Sequence, residues 1–177
     1  PRGKVMTAEG FQEGRRLQLA SGVLLQCIMG GYPPSRYYGA DDGDVALVPD
    51  LTRLHRLPWS EPPRAWVVCD AEELTGGFSP LSTRGLLKTV LARYGRLGLA
   101  PVVATELEFF VFAANPDPLL PFQAPIGLDG RREDGSSAFS VGSNNGLRPF
   151  FTEVYRSMAA MGLPRDTVMH EMGVSQF

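Results

Sequence analysis

The alternation of apolar and polar residues is clearest over residues 105–112, where it predicts a β-strand rich in aromatic residues. Alternate side chains of a strand point to opposite faces, so Glu106 and Glu108 would share one face and Leu107 would point to the other. Residues two apart on a strand are separated by about 6.6 Å, which suits adjacent divalent cations held by oxygen ligands. Because like charges repel, such a pair needs cations or arginine side chains nearby. The alternative is a solvent-exposed strand face, which requires no ligand.

Shorter apolar runs predict three further strands in the first part of the chain. They lie at residues 23–29, 44–48 and 65–69. The first would be buried, and the second would end at Pro49. Thr7 is suited to cap a short, weak helix before them. Together these elements predict a small mixed α+β module over residues 1–75, with a boundary at residues 76–80.

The second part of the chain contains two amphipathic patterns that are typical of helices. The first helix can be capped by Ser79 or Ser82 and would end at Gly98. Its apolar residues recur every three or four positions, at Leu86, Leu87, Val90, Leu91, Tyr94 and Leu97. The second helix covers residues 148–161 and would end at Gly162.

Residues 115–146 form a long connection between these two helices, after the 105–112 strand, and are rich in Pro, Gly, Ser and Asp. Connections of that length are usually lids, binding loops or disordered segments, so residues 134–145 are predicted to be either an ordered flap or disordered. A final strand at residues 167–171 would carry His170 and Glu171.

Composition and charge exclude several classes of function. The 177 residues carry a formal net charge of −2 with a pI near 5.7, which gives no basic footprint for nucleic acid. No stretch approaches the roughly 18 apolar residues that a membrane span needs. Cys27 and Cys69 lie in apolar runs and no secretory leader is visible, so we expect a reducing, cytoplasmic location. The chain starts without a methionine and stops within a strand-like run, so we expect a piece that is incomplete at both ends.

Three short motifs occur in a fixed order along the chain. The segment at residues 44–50 runs from Asp44 through apolar residues to Pro-Asp. Glu-x-Glu-Phe-Phe follows at residues 106–110, approached through a helix and a Gly-x-x-Pro turn. His-Glu-x-Gly-x-x-Gln-Phe stands at residues 170–177. Together these motifs resemble the glutamine synthetase family, and the resemblance covers essentially all of the chain.

The resemblance implies an α+β fold. A small β-grasp amino-terminal domain would occupy residues 1–75, and residues 76–177 would form the first part of a catalytic domain with an antiparallel sheet and flanking helices. The resemblance also implies an ATP-dependent ligase that forms a γ-glutamyl amide from glutamate and an amine or ammonia through γ-glutamyl phosphate. Family members form rings whose sites lie between neighbouring chains, so a homo-oligomeric, dodecamer-like ring is expected.

The resemblance assigns metal ligands to three carboxylates. Glu108 and Glu171 would bind the cation nearer glutamate, and Glu106 would bind the cation that bridges the ATP phosphates. The cations would be Mg²⁺ or Mn²⁺, because phosphoryl transfer concentrates negative charge. Asp166 stands where the family often places an acidic residue near the nucleotide. His170 belongs to no His-Glu-x-x-His motif, so we interpret it as a packing or hydrogen-bonding histidine, and the alternative for Glu171 is a solvent-facing carboxylate.

Two departures from the family pattern refine these expectations. Gly30 occupies the place of the aspartate that binds ammonium in ammonia-using members, and without that carboxylate an ammonium ion loses its charge partner. The chain therefore looks more like the γ-glutamylpolyamine and γ-glutamylputrescine synthetases, with Gly30 and Gly31 leaving space for a longer amine. The later histidine, arginine and glutamate motifs of the family are absent, so the catalytic residues are unassigned and this piece alone is expected to be inactive.

Two other functions are compatible with the sequence. One is ordinary glutamine synthesis with a divergent ammonium site, and the other is a non-catalytic binding or structural protein on the same scaffold. Against the second alternative, Glu106, Glu108 and Glu171 are all present, and a carboxylate cluster without a metal is costly to maintain.

Overall fold

A computed structural model describes residues 3–32, 34, 43–117, 119–135 and 138–177. These residues divide into two compact units. The first comprises the chain up to Leu54 together with Ala65–Val103, and the second comprises His55–Arg64 together with Ala104–Phe177. The division into a β-grasp domain over residues 1–75 and a catalytic part over residues 76–177 stays a prediction.

The first unit is built on a three-stranded sheet in the order β1-β2-β3. The strands are β1 (Leu17–Ala20), β2 (Asp44–Arg56) and β3 (Ala65–Glu73). β1 runs antiparallel to β2, and Leu19 lies opposite Val45. Both side chains are buried and pack with Ala71 of β3, so the sheet supplies the small core of this unit.

The predicted buried strand at residues 23–29 is wrong. A 3₁₀-helix, Ser21–Leu25, occupies its first half, and the residues after the helix form an exposed turn. The Cys27 N–H donates to the Gly31 carbonyl at 2.8 Å, and Gly30 adopts a left-handed conformation with φ of +83°. Glycine tolerates that conformation, so the chain closes a local turn instead of joining the sheet.

The strand predicted at residues 44–48 is longer than expected, because β2 continues through Pro49 to Arg56. Proline usually ends a strand since it has no N–H to donate. β1, however, pairs only with the first four residues of β2, as far as Leu47. Pro49 therefore lies beyond the reach of β1 and forfeits no hydrogen bond to it.

The helix caps predicted for the first unit are confirmed. Thr7 caps α1 (Ala8–Gln12), and of the two candidate serines Ser82 caps α2 (Thr83–Arg96). In each cap the hydroxyl accepts the N–H of the residue three positions later. Gly98, with φ of +70°, follows the end of α2 as predicted.

The apolar stripe of α2 is not buried. Leu86 is 64% exposed and Leu97 is 73% exposed. The helix packs on β3, where Arg84 of the helix bonds Asp70, and the buried Gly85 lies against Phe78. An amphipathic pattern predicts which face of a helix is apolar but not what covers it, and in the described part of the chain this face stays exposed.

The second unit contains α3 (Val141–Gly146) and α4 (Arg148–Ala160). Its core joins residues near and within α4 to residues from two extended segments: Leu147, Phe151, Tyr155, Phe109, Val111, Val168 and Phe177. The predicted helix at residues 148–161 is thus confirmed, with Gly162 in a left-handed conformation after it. Within the described ranges, no helix has the length and apolarity that a membrane crossing requires.

The predicted strands at residues 105–112 and 167–171 are wrong as strands, because both are extended segments without a continuous ladder. Phe109 and Phe177 exchange two backbone hydrogen bonds of 2.9 Å, and the Val111 N–H donates to the Ser175 carbonyl at 2.9 Å. This short antiparallel contact leaves the residues before Phe109 without a ladder partner among the described residues. A strand needs such a partner, and alternation alone cannot supply one.

The predicted connection at residues 115–146 is partly ordered. Ile126 and Arg132 form an antiparallel bridge, and α3 occupies the last six residues. The Ser140 hydroxyl caps α3. Residues 118, 136 and 137 of the connection lie outside the described residues, so the choice between flap and disorder for residues 134–145 stays open there.

Candidate active site

Alternate residues of the segment that follows Glu106 face different environments. Phe109 packs in the core of the second unit, whereas Phe110 and Phe112 stack on each other with ring centroids 6.2 Å apart. Glu106 and Glu108 are both exposed. In an extended segment Glu108 and Phe110 lie on the same side. On the other side Phe109 and Val111 pack against the core, but Leu107, which lies between the two carboxylates, is 83% exposed.

Residues 170–177 form a tight turn, which we call the Gln176 hairpin. The Glu171 N–H donates to the Gln176 carbonyl at 2.7 Å. The side-chain oxygen of Gln176 accepts the Gly173 N–H at 3.0 Å, and its Nε2 donates to Glu108 Oε2 at 2.8 Å. Gln176 therefore ties Glu108 to the hairpin that carries Glu171.

His170 is buried at the start of the hairpin, with 1% of its surface exposed. Its Nε2 is 2.6 Å from Glu133 Oε1, and its ring meets Phe177 edge to face at 5.0 Å. Since a carboxylate oxygen accepts, Nε2 carries the hydrogen of this bond. Nδ1 is buried without a hydrogen-bond partner among the described residues. His170 thus packs and hydrogen-bonds, as predicted.

Of the three predicted metal ligands, Glu108 and Glu171 are both linked to Gln176. The Glu108 carboxylate accepts from the side chain of Gln176, and the Glu171 backbone N–H donates to the Gln176 carbonyl. Glu106 lies two residues before Glu108. Among the residues that the structure describes, no three Asp, Glu, His or Cys side chains are grouped to hold a metal ion. Carboxylate pairs do fit Mg²⁺, which proteins usually bind through one or two carboxylates together with substrate phosphates and water. The ligand roles of the three glutamates stay predictions.

The other two predicted site residues are exposed. The Asp166 carbonyl accepts the Tyr155 hydroxyl at 3.4 Å, and its carboxylate accepts the Thr167 hydroxyl at 3.3 Å. Gly30 belongs to the first unit, and among the described residues a Cβ there would meet only Gln26 Nε2, at 3.9 Å. Neither set of contacts identifies a ligand, so a nucleotide role for Asp166 and an amine role for Gly30 stay predictions.

The first unit contains a network of charges around Arg84. Its guanidinium donates to Asp50 of β2 at 2.5 Å and to Asp70 of β3 at 2.6 Å, and Lys88 donates to Asp70 at 2.5 Å. Hydrogen bonds from Thr52 and Arg84 lower the pKa of Asp50 to about 2. Burial raises the pKa of Asp70, but hydrogen bonds from Lys88 and Arg84 outweigh it and the pKa is lowered. The network ties β2 and β3 to α2.

The fold and the motifs define the class of protein. A sequence model of the family described as "Glutamine synthetase, catalytic domain" matches residues 80–177, which is just over half of the chain. The chain therefore belongs to the glutamine synthetase family, as the three motifs predicted.

Particular relatives refine this picture. The chain is 28% identical to a glutamate–isopropylamine ligase of a Pseudomonas species, over 99% of this chain and 39% of that protein. It is 37% identical to a glutamine synthetase of Methanococcus maripaludis over 78 residues, which are 42% of this chain and 18% of that enzyme. The crystal structure of a glutamine synthase homologue shares the fold at a TM-score of 0.67 and 18% identity, over 99% of this chain and 38% of that one. The chain thus spans less than half the length of these relatives.

Sequence reasoning missed two residues that shape the hairpin, Glu133 and Ser175. Glu133 lies in the long connection, and its carboxylate bonds Ser175, 42 positions further along the chain. No local pattern marks a contact of that separation. Ser175 stands at an unspecified position of the His-Glu-x-Gly-x-x-Gln motif, and its left-handed backbone (φ +54°) has no signature in the sequence.

Proposed function

We propose that the protein to which this chain belongs is an ATP-dependent ligase that joins the γ-carboxylate of glutamate to an amine. The observation that carries the proposal is the bond between Gln176 and Glu108, which brings together the two acidic motifs of the family although they lie 68 positions apart. Membership of the glutamine synthetase family supports the reaction class.

In the proposed reaction, an oxygen of the glutamate γ-carboxylate bonds to the terminal phosphorus of ATP as the bond to ADP breaks. The amine nitrogen then bonds to the carbonyl carbon, the carbon–oxygen bond to phosphate breaks, and the nitrogen releases a proton. Bound Mg²⁺ or Mn²⁺ supplies charge neutralisation during phosphoryl transfer. Glu108 and Glu171 would hold one cation and Glu106 the other. The Gln176 amide would keep the Glu108 carboxylate in one orientation.

Two points support an amine larger than ammonia as the acceptor. By resemblance to the family, Gly30 stands at the place of the carboxylate that pairs with ammonium in ammonia-using members, and one relative is a glutamate–isopropylamine ligase. The left-handed backbone of Gly30 accounts for a glycine there without any ligand. The argument from Gly30 therefore depends on the missing negative charge, not on space for the amine.

Glutamine synthesis from ammonia is the second candidate. It is favoured by the higher identity, 37%, to the Methanococcus maripaludis glutamine synthetase over part of the chain. The acceptor therefore has to be tested directly.

The test is phosphate release from ATP by the full-length protein, with glutamate, Mg²⁺ or Mn²⁺, and either ammonium or a panel of monoamines and polyamines. We expect release that requires glutamate and increases with an amine but not with ammonium. Stimulation by ammonium alone would establish the second candidate. No glutamate-dependent release with any acceptor, from soluble and assembled protein, would contradict a ligase and favour a non-catalytic scaffold.

A matched pair of variants tests the assigned carboxylates. Glu108→Gln removes a proposed metal ligand and should lower glutamate-dependent phosphate release by about 100-fold, at the upper end of what disturbed metal sites show. Glu153→Gln changes an exposed carboxylate of α4 in the same way and should leave the rate unchanged. Equal rates for the two variants would show that Glu108 is not a metal ligand.

A further inference from the structure

The carboxylate of Glu133 is buried and fully engaged. Its side chain is 7% exposed. Oε1 bonds His170 Nε2 at 2.6 Å, and Oε2 accepts the Ser175 hydroxyl at 2.9 Å as well as the Ser175 backbone N–H. A buried carboxylate is costly unless it is hydrogen-bonded, and here all of the bonds named go to the Gln176 hairpin. We call Glu133, His170 and Ser175 the Glu133 latch.

Unfavourable backbone conformations occur at the same place. Ser175 (φ +54°) and Phe139 (φ +59°) are the non-glycine residues with left-handed backbones in the described part of the chain. Ser175 bonds Glu133, and the Phe139 N–H donates to the His170 carbonyl at 2.8 Å. Such conformations persist only where surrounding contacts determine them, and they concentrate at functional sites. Ser175 lies within the hairpin and is held by Glu133, and Phe139 is held by the first residue of the hairpin.

The latch lies beside the residues proposed to carry function. His170 immediately precedes Glu171, and Ser175 immediately precedes Gln176, whose side chain bonds Glu108. Because His170 and Ser175 both bond the Glu133 carboxylate, the backbone between them is held in place at both ends. Glu171 lies in this stretch, directly after His170. In the described part of the chain Glu133 bonds His170 and Ser175 and none of the candidate metal carboxylates, so any effect of Glu133 on them is transmitted through the hairpin.

We propose that Glu133 is a positioning residue for the candidate metal site. It holds His170 and Ser175 so that the hairpin presents Glu171 and Gln176 beside Glu108. This proposal rests on the proposed function, since it concerns the same carboxylates. It adds a residue that lies outside the acidic motifs and acts through His170 and Ser175.

The test measures Mn²⁺ binding to the full-length protein without nucleotide, from the electron paramagnetic resonance signal of free Mn²⁺. In Glu133→Ala, the dissociation constant of the site that contains Glu108 and Glu171 should increase by about 10- to 100-fold, as expected for residues that orient metal ligands. Glu133→Gln keeps one oxygen to accept from Ser175, and its NH₂ group donates to His170 Nε2 once the imidazole hydrogen moves to Nδ1, so the constant should return to within about threefold of wild type. Glu153→Ala, on the surface of α4, is the control and should bind Mn²⁺ like wild type.

Activity provides a second readout that a merely structural role would not produce. A positioning role raises the Mn²⁺ concentration needed for half-maximal rate and leaves most of the rate at saturation, whereas partial unfolding lowers the rate at every concentration. If Glu133→Ala does not fold, Ser175→Ala replaces it, because it removes only the hydroxyl donor and should raise the dissociation constant by about 3- to 10-fold.

Two outcomes would contradict the proposals, and they are distinguishable. Wild-type affinity for Mn²⁺ in a folded Glu133→Ala or Ser175→Ala protein would overturn the positioning role alone. Absence of Mn²⁺ binding in the wild-type protein would overturn the metal site, and the proposed function would fail with it.

Discussion

Arg84 shows how a single residue can organise the first unit. It joins Asp50 of β2 and Asp70 of β3, and it does so from α2. The guanidinium has several donors in a planar fork, so it can satisfy two carboxylates at once. Asp70 is the more buried of the two carboxylates, and Lys88 adds a second cation to it.

Acid should weaken this network. The pKa of Asp50 is lowered from 3.8 to about 2 and that of Asp70 is also lowered, so the folded state binds protons more weakly than the unfolded state. The stabilisation is therefore complete above about pH 4 and is lost as the pH falls towards 2. Asp70→Asn should cost roughly 1–2 kcal/mol at pH 7 and flatten the acid dependence, measured by urea unfolding followed through tryptophan fluorescence. Asp44→Asn, an exposed residue of β2, is the control, and equal curves for the two variants would contradict the prediction.

At the scale of elements, α2 approaches Phe78, which follows β3, at a glycine. Gly85 is buried, and a Cβ added there would lie 2.7 Å from Phe78 Cβ and 2.8 Å from its Cγ. Neither atom is the far end of a flexible side chain, so the helix or the segment with Phe78 would have to move. Gly95, in the last turn of the same helix, has open space around its Cβ position.

These two glycines make a matched pair of substitutions. Gly85→Ala gains helix propensity of about 1 kcal/mol but meets a clash of roughly 1–3 kcal/mol, so we expect a net loss of about 1 kcal/mol. Gly95→Ala meets no clash and should gain about 0.5–1 kcal/mol, reduced by its place near the helix end. The free energy of unfolding in urea measures both. Stabilisation by both variants would show that α2 does not approach Phe78 so closely.

At the scale of the whole molecule, much apolar surface is exposed. The stripe of α2 is the most regular part of it, and the solved homologue is more than twice as long as this chain. Contiguous apolar patches of this kind favour association. The 177-residue polypeptide should therefore self-associate when produced alone.

Substitution within the stripe should reduce that association. Leu86→Lys combined with Leu97→Lys places two charges on exposed apolar positions and should weaken the association constant at least about tenfold, a change of about 1.4 kcal/mol. Sedimentation velocity over a range of concentrations measures the effect. Val5→Lys, at an isolated residue that is 98% exposed, should change little. A monomeric wild-type polypeptide would contradict the prediction.

Much of the local structure and the family could be predicted from the sequence. Thr7, Ser82 and Gly98 mark helix ends because a cap acts over three or four residues, and those residues are adjacent in the chain. The acidic motifs predicted the family because they are short patterns that can be recognised in the sequence itself, and the family model that matches residues 80–177 confirms the prediction. The apolar face of α2 was also predictable, since periodicity alone defines it.

The tertiary structure decided which distant residues these elements contact. Residues 23–29 read as a buried strand, but a left-handed Gly30 and local hydrogen bonds turn the chain into solvent. Glu133 carried no signal because its partners lie 37 and 42 positions away. The contact of Gln176 with Glu108 spans 68 positions. Side-chain type and spacing encode local conformation, whereas the partners of a buried carboxylate or an extended segment exist only once distant parts of the chain have packed together.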